Sequence, residues 1–227
     1  MLGVTKVRPM PGVISAFDER GCAVVDTLHD RWMYLTGDPA WVWESVQVTG
    51  TTAHLITEDM EHLRLFVEAG LMTVECEAVS APFPTLEPTD LAQTPAPGTP
   101  QALPPITLRQ LRRAWRKALH IETLSLHRLG HRVEALHRKS GHAYLTPHAA
   151  GMLHLKIMKA APWRATYFYR CTERTIALAT VIAADLVGAR IDLTFGMSHT
   201  AKAPSWWCSV PDGPVAQPQE TLAVSTF

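Results

Sequence analysis

"YFYRCTERTIALATVIAADLVGARIDLTFGM", Tyr167 to Met197, joins a long apolar segment to an alternating one. From Thr172 to about Val187 the apolar residues run too long for a strand and predict a buried helix, with Gly188 as its stop. Arg190 to Met197 then alternates Ile191, Leu193 and Phe195, the period of a strand. Helix before strand within one unit implies an α+β domain. Cys171 stands at the mouth of the helix, between Arg170 and Thr172. Unpaired N–H groups at a helix start carry partial positive charge, which favours a thiolate. Arg170 and Arg174 can add to that effect. The other reading is a small buried residue that packs.

Upstream of this stretch the chain is helical. Thr107 can cap "LRQLRRAWRKAL". "ETLSLHRLGHRVEALHRKSG" follows, with Gly130 as an expected interruption and Gly141 as its end. Thr146, with Pro147 behind it, is expected to cap a third helix running to Pro162. Downstream, "SWWCSV" (Ser205–Val210) is a second strand, "PDG" a turn, and "PVAQP" the start of a last edge segment.

A proline-rich segment bounds this unit. Ser80 to Pro105 holds eight of the seventeen prolines, which predicts a partly extended linker over 80–106. Before it, residues 1–79 form a unit of the opposite order. "GVISAF", "CAVVD" and "RWMYL" are three short strands separated by the turns "DERG" and "TLHD". Asp38 with Pro39 is expected to start one helix and Thr57 another. Met60, Leu63, Phe66 and Val67 make the second helix's apolar stripe, Gly70 ends it, and "LMTVE" leaves extended.

Charge separates the two units. The formal net charge of the 227 residues is zero, but residues 1–80 carry five Lys/Arg against twelve Asp/Glu. Residues 107–227 carry sixteen against seven. No apolar run reaches the ~20 residues of a membrane span, and "MLGVTKVRPMPGV" lacks the apolar core of a secretory signal. A cytoplasmic location is therefore expected. The four cysteines show no CxxC spacing.

Two stretches carry a resemblance to one family. Cys171 followed by "TERTIALATVIAADLVGARIDLTFGM" resembles the region around the catalytic cysteine of the leader-processing (B) proteins of lasso-peptide biosynthesis. That region has a cysteine, an apolar helix with a Ser/Thr-x-Ala-Leu core, a glycine, and a strand ending in glycine. "SWWCSVPDGPV" resembles the family's later strand-turn-strand. Independently, "VISAFDERGCAVVDTLHDRWMYLTGDPAWVWESV" with "EDMEHLRLFVEAGLM" resembles the winged-helix peptide-recognition element of the same pathways.

The resemblance implies a winged-helix-like recognition element at 1–79, a linker at 80–106, and a transglutaminase-like or papain-like cysteine protease domain at 107–227. It implies that the first binds the leader of a ribosomally made precursor peptide. The leader would add as a strand beside Arg31–Leu35 and lie against the helix Glu58–Ala69. Arg31, Trp32, Tyr34, Leu63 and Phe66 are the implied contacts; core packing is the other reading of Leu63 and Phe66. The second domain would remove the leader with Cys171 as nucleophile, without cofactor. A separate ATP-dependent macrolactam synthetase is the implied partner.

The match breaks at two positions. The family's histidine falls on Pro204, and its aspartate on Gln217 or Pro218. Proline can neither accept a proton nor orient a base. His199, five residues before Pro204, is the candidate substitute base. The alternative is a scaffold of the same architecture that presents the precursor without cutting it.

The other signals are weaker. His127 and His131 are spaced i, i+4, but no HExxH pattern or cysteine accompanies them, so no metal is expected. Arg109, Arg112, Arg113, Arg116 and Lys117 make a basic helix. The unit resembling a winged helix is the acidic one and would repel phosphate, so no nucleic-acid partner is expected.

Overall fold

The computed structural model describes residues 6–75, 100–140, 142–161, 172–200, 203–218 and 220–227. The chain is mixed α+β and divides into two compact units, Met1–Ala92 and Gln93–Phe227.

The first unit is built on a three-stranded antiparallel meander, β2 (Val13–Asp18), β3 (Gly21–Asp26) and β4 (Arg31–Leu35). Its turns are made by aspartates. Asp18 Oδ1 accepts from the N–H groups of Arg20 and Gly21 at 2.9 and 3.1 Å. Asp26 Oδ1 does the same for Leu28 and His29. Gly21 is required by close approach, since a Cβ there would lie 2.1 Å from the Leu35 carbonyl oxygen. Helices α1 (Asp38–Thr49) and α2 (Thr57–Glu68) follow. An additional pair, β1 (Lys6–Pro9) with β5 (Met72–Glu75), closes the unit.

Both helix starts differ from the sequence expectation by one residue. Gly37, not Asp38, caps α1, at φ +64°, and its carbonyl accepts from Ala40 and Trp41. Ile56, not Thr57, precedes α2, and Asp59 reaches back to accept from the Ile56 N–H at 3.0 Å. That bond is the half of a capping box made by the carboxylate three residues into the helix, and it satisfies the N–H of the capping residue. Trp43, Val46, Leu63, Phe66, Met72 and Val24 form the core. Each such fully buried side chain contributes roughly 1.5–3 kcal/mol.

The second unit begins before the expected capping residue. Gln101 donates its N–H to the Tyr144 carbonyl and accepts from Thr146 N–H, while Leu103 and Ile106 pack on the core. Helix α3 (Leu108–Ile121) starts at Thr107 with a reciprocal capping box to Gln110. Helix α4 (Leu126–Ser140) runs through Gly130 without the expected interruption. The glycine is there for a different reason. The ring of Phe227 occupies the space where a Cβ would stand, 2.5 Å away. Thr146 caps α5 (Pro147–Lys159) as its sequence predicts. Thr172 caps α6 (Glu173–Leu186) through a bond from Thr175 N–H.

Helix α6 is the axis of the unit, buried from Ala177 to Ala184. Alanines at 177, 179, 183 and 184 share one core with Ala114 and Ala118 of α3 and Ala150 of α5. Small side chains let helix backbones approach closely, and the indole of Trp115 ties α3 to the Ile157 carbonyl of α5 at 2.8 Å. The remaining side of α6 lies on an antiparallel sheet of order β10-β9-β8-β11. These strands are β8 (Asp192–Ser198), β9 (Pro204–Val210), β10 (Gly213–Val215) and β11 (Thr221–Thr226). A short parallel pair, β6 (Ala143–Tyr144) with β7 (Ala189–Arg190), joins the helical side. No described helix is long and apolar enough to cross a membrane.

Candidate functional site

The start of α6 is held on two sides. Thr175 donates its hydroxyl to the Glu122 carboxylate, and Arg174 donates to the Leu124 carbonyl. Both partners belong to the connection between α3 and α4. On the sheet side the Arg174 guanidinium lies over the Trp206 ring, 4.8 Å from its centroid, and Trp206 meets Phe195 edge-on at 4.9 Å. Cys171 itself lies outside the described residues.

The register of α6 on β9 is explicit. Cys208 Sγ donates to the Ala177 carbonyl at 3.4 Å, and one step toward the helix start Arg174 covers Trp206. Alternation sets Pro204 on that same face of β9, one further step in the same direction. The N-terminal end of α6 thus runs toward Pro204, which pairs with Met197 of β8.

His199 follows Met197 by two residues. Its N–H donates to the Glu220 carbonyl at 2.9 Å, extending the β8–β11 ladder beyond Ser198. It stands in the turn after β8, past the strand residues Leu193, Phe195 and Met197. Cross-strand neighbours of that set, Cys208 and Trp206, touch α6. The two positions at which the resemblance places an aspartate have turn roles. Gln217 donates to the Thr221 carbonyl and hydroxyl, and the Pro218 carbonyl accepts from that hydroxyl. Asp212 lies in the tight turn between β9 and β10.

The electrostatics at the α6 start are mixed. The helix terminus and Arg174 favour an anion, whereas the Glu122 carboxylate, already bonded there, opposes one. Sequence reading missed Glu122 because it lies 53 residues from its partner. Both described cysteines, Cys22 and Cys208, are free and buried. Burial pushes the Cys208 thiol up to about 12, and burial with the Glu44 and Asp18 charges does the same to Cys22.

In the first unit the five expected contact residues do not share one surface. Met33 and Leu35 of β4 face the core with Leu63 and Phe66, and Phe66 packs edge-on against Trp43 at 5.0 Å. Leu63 and Phe66 are 3% and 5% exposed and hold the unit together. Trp32 and Tyr34 point to the opposite face, over Val25 and Ala23. Trp32 is 45% exposed, and Tyr34 donates its hydroxyl to Asp18. Arg31 is bonded to Asp26 at 2.7 Å. Burial pushes the Asp26 carboxyl upward, but hydrogen bonds from Arg31 and His29 outweigh it and hold it below the usual range.

What β4 does offer is an edge. Among the described strands it pairs only with β3. Beside it a small cleft is lined by Arg31, Trp32, Met33, Ala69 and Leu71. Met33, Ala69 and Leu71 were not singled out from sequence, because their meeting depends on how the end of α2 returns to the sheet. No group of three potential metal ligands comes together among the described residues. Comparison of the chain with family models, with curated proteins and with solved structures finds no match.

Proposed function

We propose that the protein binds the leader of a ribosomally made precursor peptide along β4 and removes that leader by cysteine-peptidase chemistry at Cys171. The observation that carries the reading is the packing of α6 on β9, with the helix start running toward Pro204 and the residue before its cap a cysteine. A nucleophile seated at a helix start, with its base on a strand beside it, is an arrangement suited to acyl transfer. The thiolate attacks the scissile carbonyl, the leaving amine takes a proton, and water releases the acyl group. His199, in the turn after β8, is the candidate substitute to move that proton. Backbone pairing along the β4 edge would supply leader affinity, and the cleft at Met33 and Leu71 a pocket for a side chain.

One observation favours a second reading. Pro204 stands on the α6-facing side of β9 where the resemblance expects the base. A domain kept for binding and presentation, with a macrolactam synthetase as partner, would tolerate that proline. Incubation with the precursor peptide, followed by mass, separates the two. Leader-shortened product that disappears with Cys171→Ala supports the peptidase. Demonstrated binding with no product leaves the scaffold. A Trp32→Ala or Met33→Ala chain that binds the leader as the parent does would overturn the β4 site.

A further inference from the structure

A cationic groove of the second unit lies among described residues of α3, α4 and the later part of α6. It has a volume of about 910 Å³ and runs between α3 and α4. Arg109, Arg113, Arg116 and Lys117 line one wall, and Arg132 stands on the other. All five are exposed, and none forms an ion pair with another described residue. Among the described residues no aspartate or glutamate lines the groove, and Ile121, Leu136 and Ile182 give it an apolar part.

This arrangement costs the fold something. Arg109 with Arg113, Arg113 with Lys117, and Arg113 with Arg116 are like-charge neighbours at i, i+4 and i, i+3, which destabilise a helix. The same helix buries Leu111, Ala114, Trp115 and Ala118 on its other side, so packing holds it in spite of the repulsion. An anionic occupant would relieve the repulsion and make charge-assisted bonds with guanidinium forks.

We propose that this groove binds an acidic, aliphatic peptide segment. The wall from Arg109 to His120 is about 16 Å long at helical rise, the span of roughly five extended residues. Carboxylates on such a segment would meet the arginines, and alternate aliphatic side chains would cover the apolar part. Other polyanions fit less well. Among its described lining residues there is no Trp, Tyr or Phe on which nucleic-acid bases could stack. The cations line a concavity, whereas a surface that enters a bilayer presents an exposed apolar face. The inference does not require Cys171 or the leader-binding edge, so its failure is separate from failure of the proposed function.

The test uses the full chain and a fluorescein-labelled hexapeptide of alternating leucine and glutamate. Saturable binding that weakens as salt rises, and at least tenfold in an Arg113→Glu/Arg116→Glu variant with unchanged circular dichroism, is expected. The same peptide with glutamine for glutamate should bind at least tenfold more weakly. Arg113→Gln should give an intermediate loss. Absence of binding, or equal binding by the charge-reversed variant, overturns the proposal. So does tighter binding of a single-stranded oligonucleotide of equal charge, or of anionic vesicles. A dimer of the parent chain that the same variant abolishes would assign the groove to a second copy and overturn it also.

Discussion

The Sγ of Cys208 donates to the carbonyl oxygen of Ala177 at 3.4 Å, and this contact fixes the register of the central helix on its sheet. It also makes Cys208 an inert thiol. Burial raises both Cys208 and Cys22 to about 12. Alkylation of the native protein at pH 8, mapped by peptide mass, is expected to spare both. Both should label once urea exposes them; native labelling at the unfolded rate would contradict the packing.

Arg174 bridges the Leu124 carbonyl and the Trp206 ring. Truncation to alanine removes a charged donor and a cation–π contact together, expected to cost about 1–3 kcal/mol in urea unfolding. Arg174→Lys is expected not to restore it, because an ammonium cannot stack and fork as a guanidinium does. Full recovery by lysine would show that only the charge matters.

Two glycines are expected to respond with opposite signs. A Cβ on Gly196 would lie 2.3 Å from the Leu222 carbonyl oxygen and 2.4 Å from the Trp207 ring, where backbone cannot yield. Gly196→Ala should therefore destabilise by about 1–3 kcal/mol. Gly151, within α5, has open space around its Cβ position. Gly151→Ala should stabilise by up to about 1 kcal/mol through helix propensity. Paired denaturation curves check both.

Acid is expected to weaken the second unit through two histidines. Burial, then the Arg190 charge, hold the His137 ring below its ordinary pKa, outweighing Asp192 at 3.7 Å; that carboxylate is already engaged by Arg190 and Tyr144. Burial does the same to His154. The folded state keeps these rings neutral, so below the ordinary value of about 6.5 the unfolded chain binds more protons. Stability is complete above that pH and falls as pH drops below it. For His137 the limiting slope is about 1.4 kcal/mol per pH unit. The urea midpoint measured from pH 7.5 to 5.5 should fall, and fall less in His137→Gln. An equal fall in the variant would remove His137 as a cause.

Several local features were legible in the residues. Thr107 and Thr146 cap their helices as the sequence indicates, because a cap is settled within four residues. The three-strand meander and the places of its two turns were legible for the same reason. Features that need distant partners were not. β1 and β11 were missed, since one pairs with β5 across the first unit and the other adds to the far edge of β8. Gly130 looked like a helix break until Phe227 was seen against it.

The sequence by itself determined two oppositely charged units, their order of strands and helices, and a cysteine at the mouth of a helix. Local periodicity and capping chemistry suffice for these, because their interactions lie close along the chain. Only the tertiary structure decided which residues face one another. It put Leu63 and Phe66 in a core and Trp32 on the other face of the sheet. It set Pro204 toward the start of α6, brought Glu122 to that helix, and gathered five unneutralised cations into one groove. Those relationships depend on how faces pack across tens of residues, and one residue's shift in register would reassign every one of them.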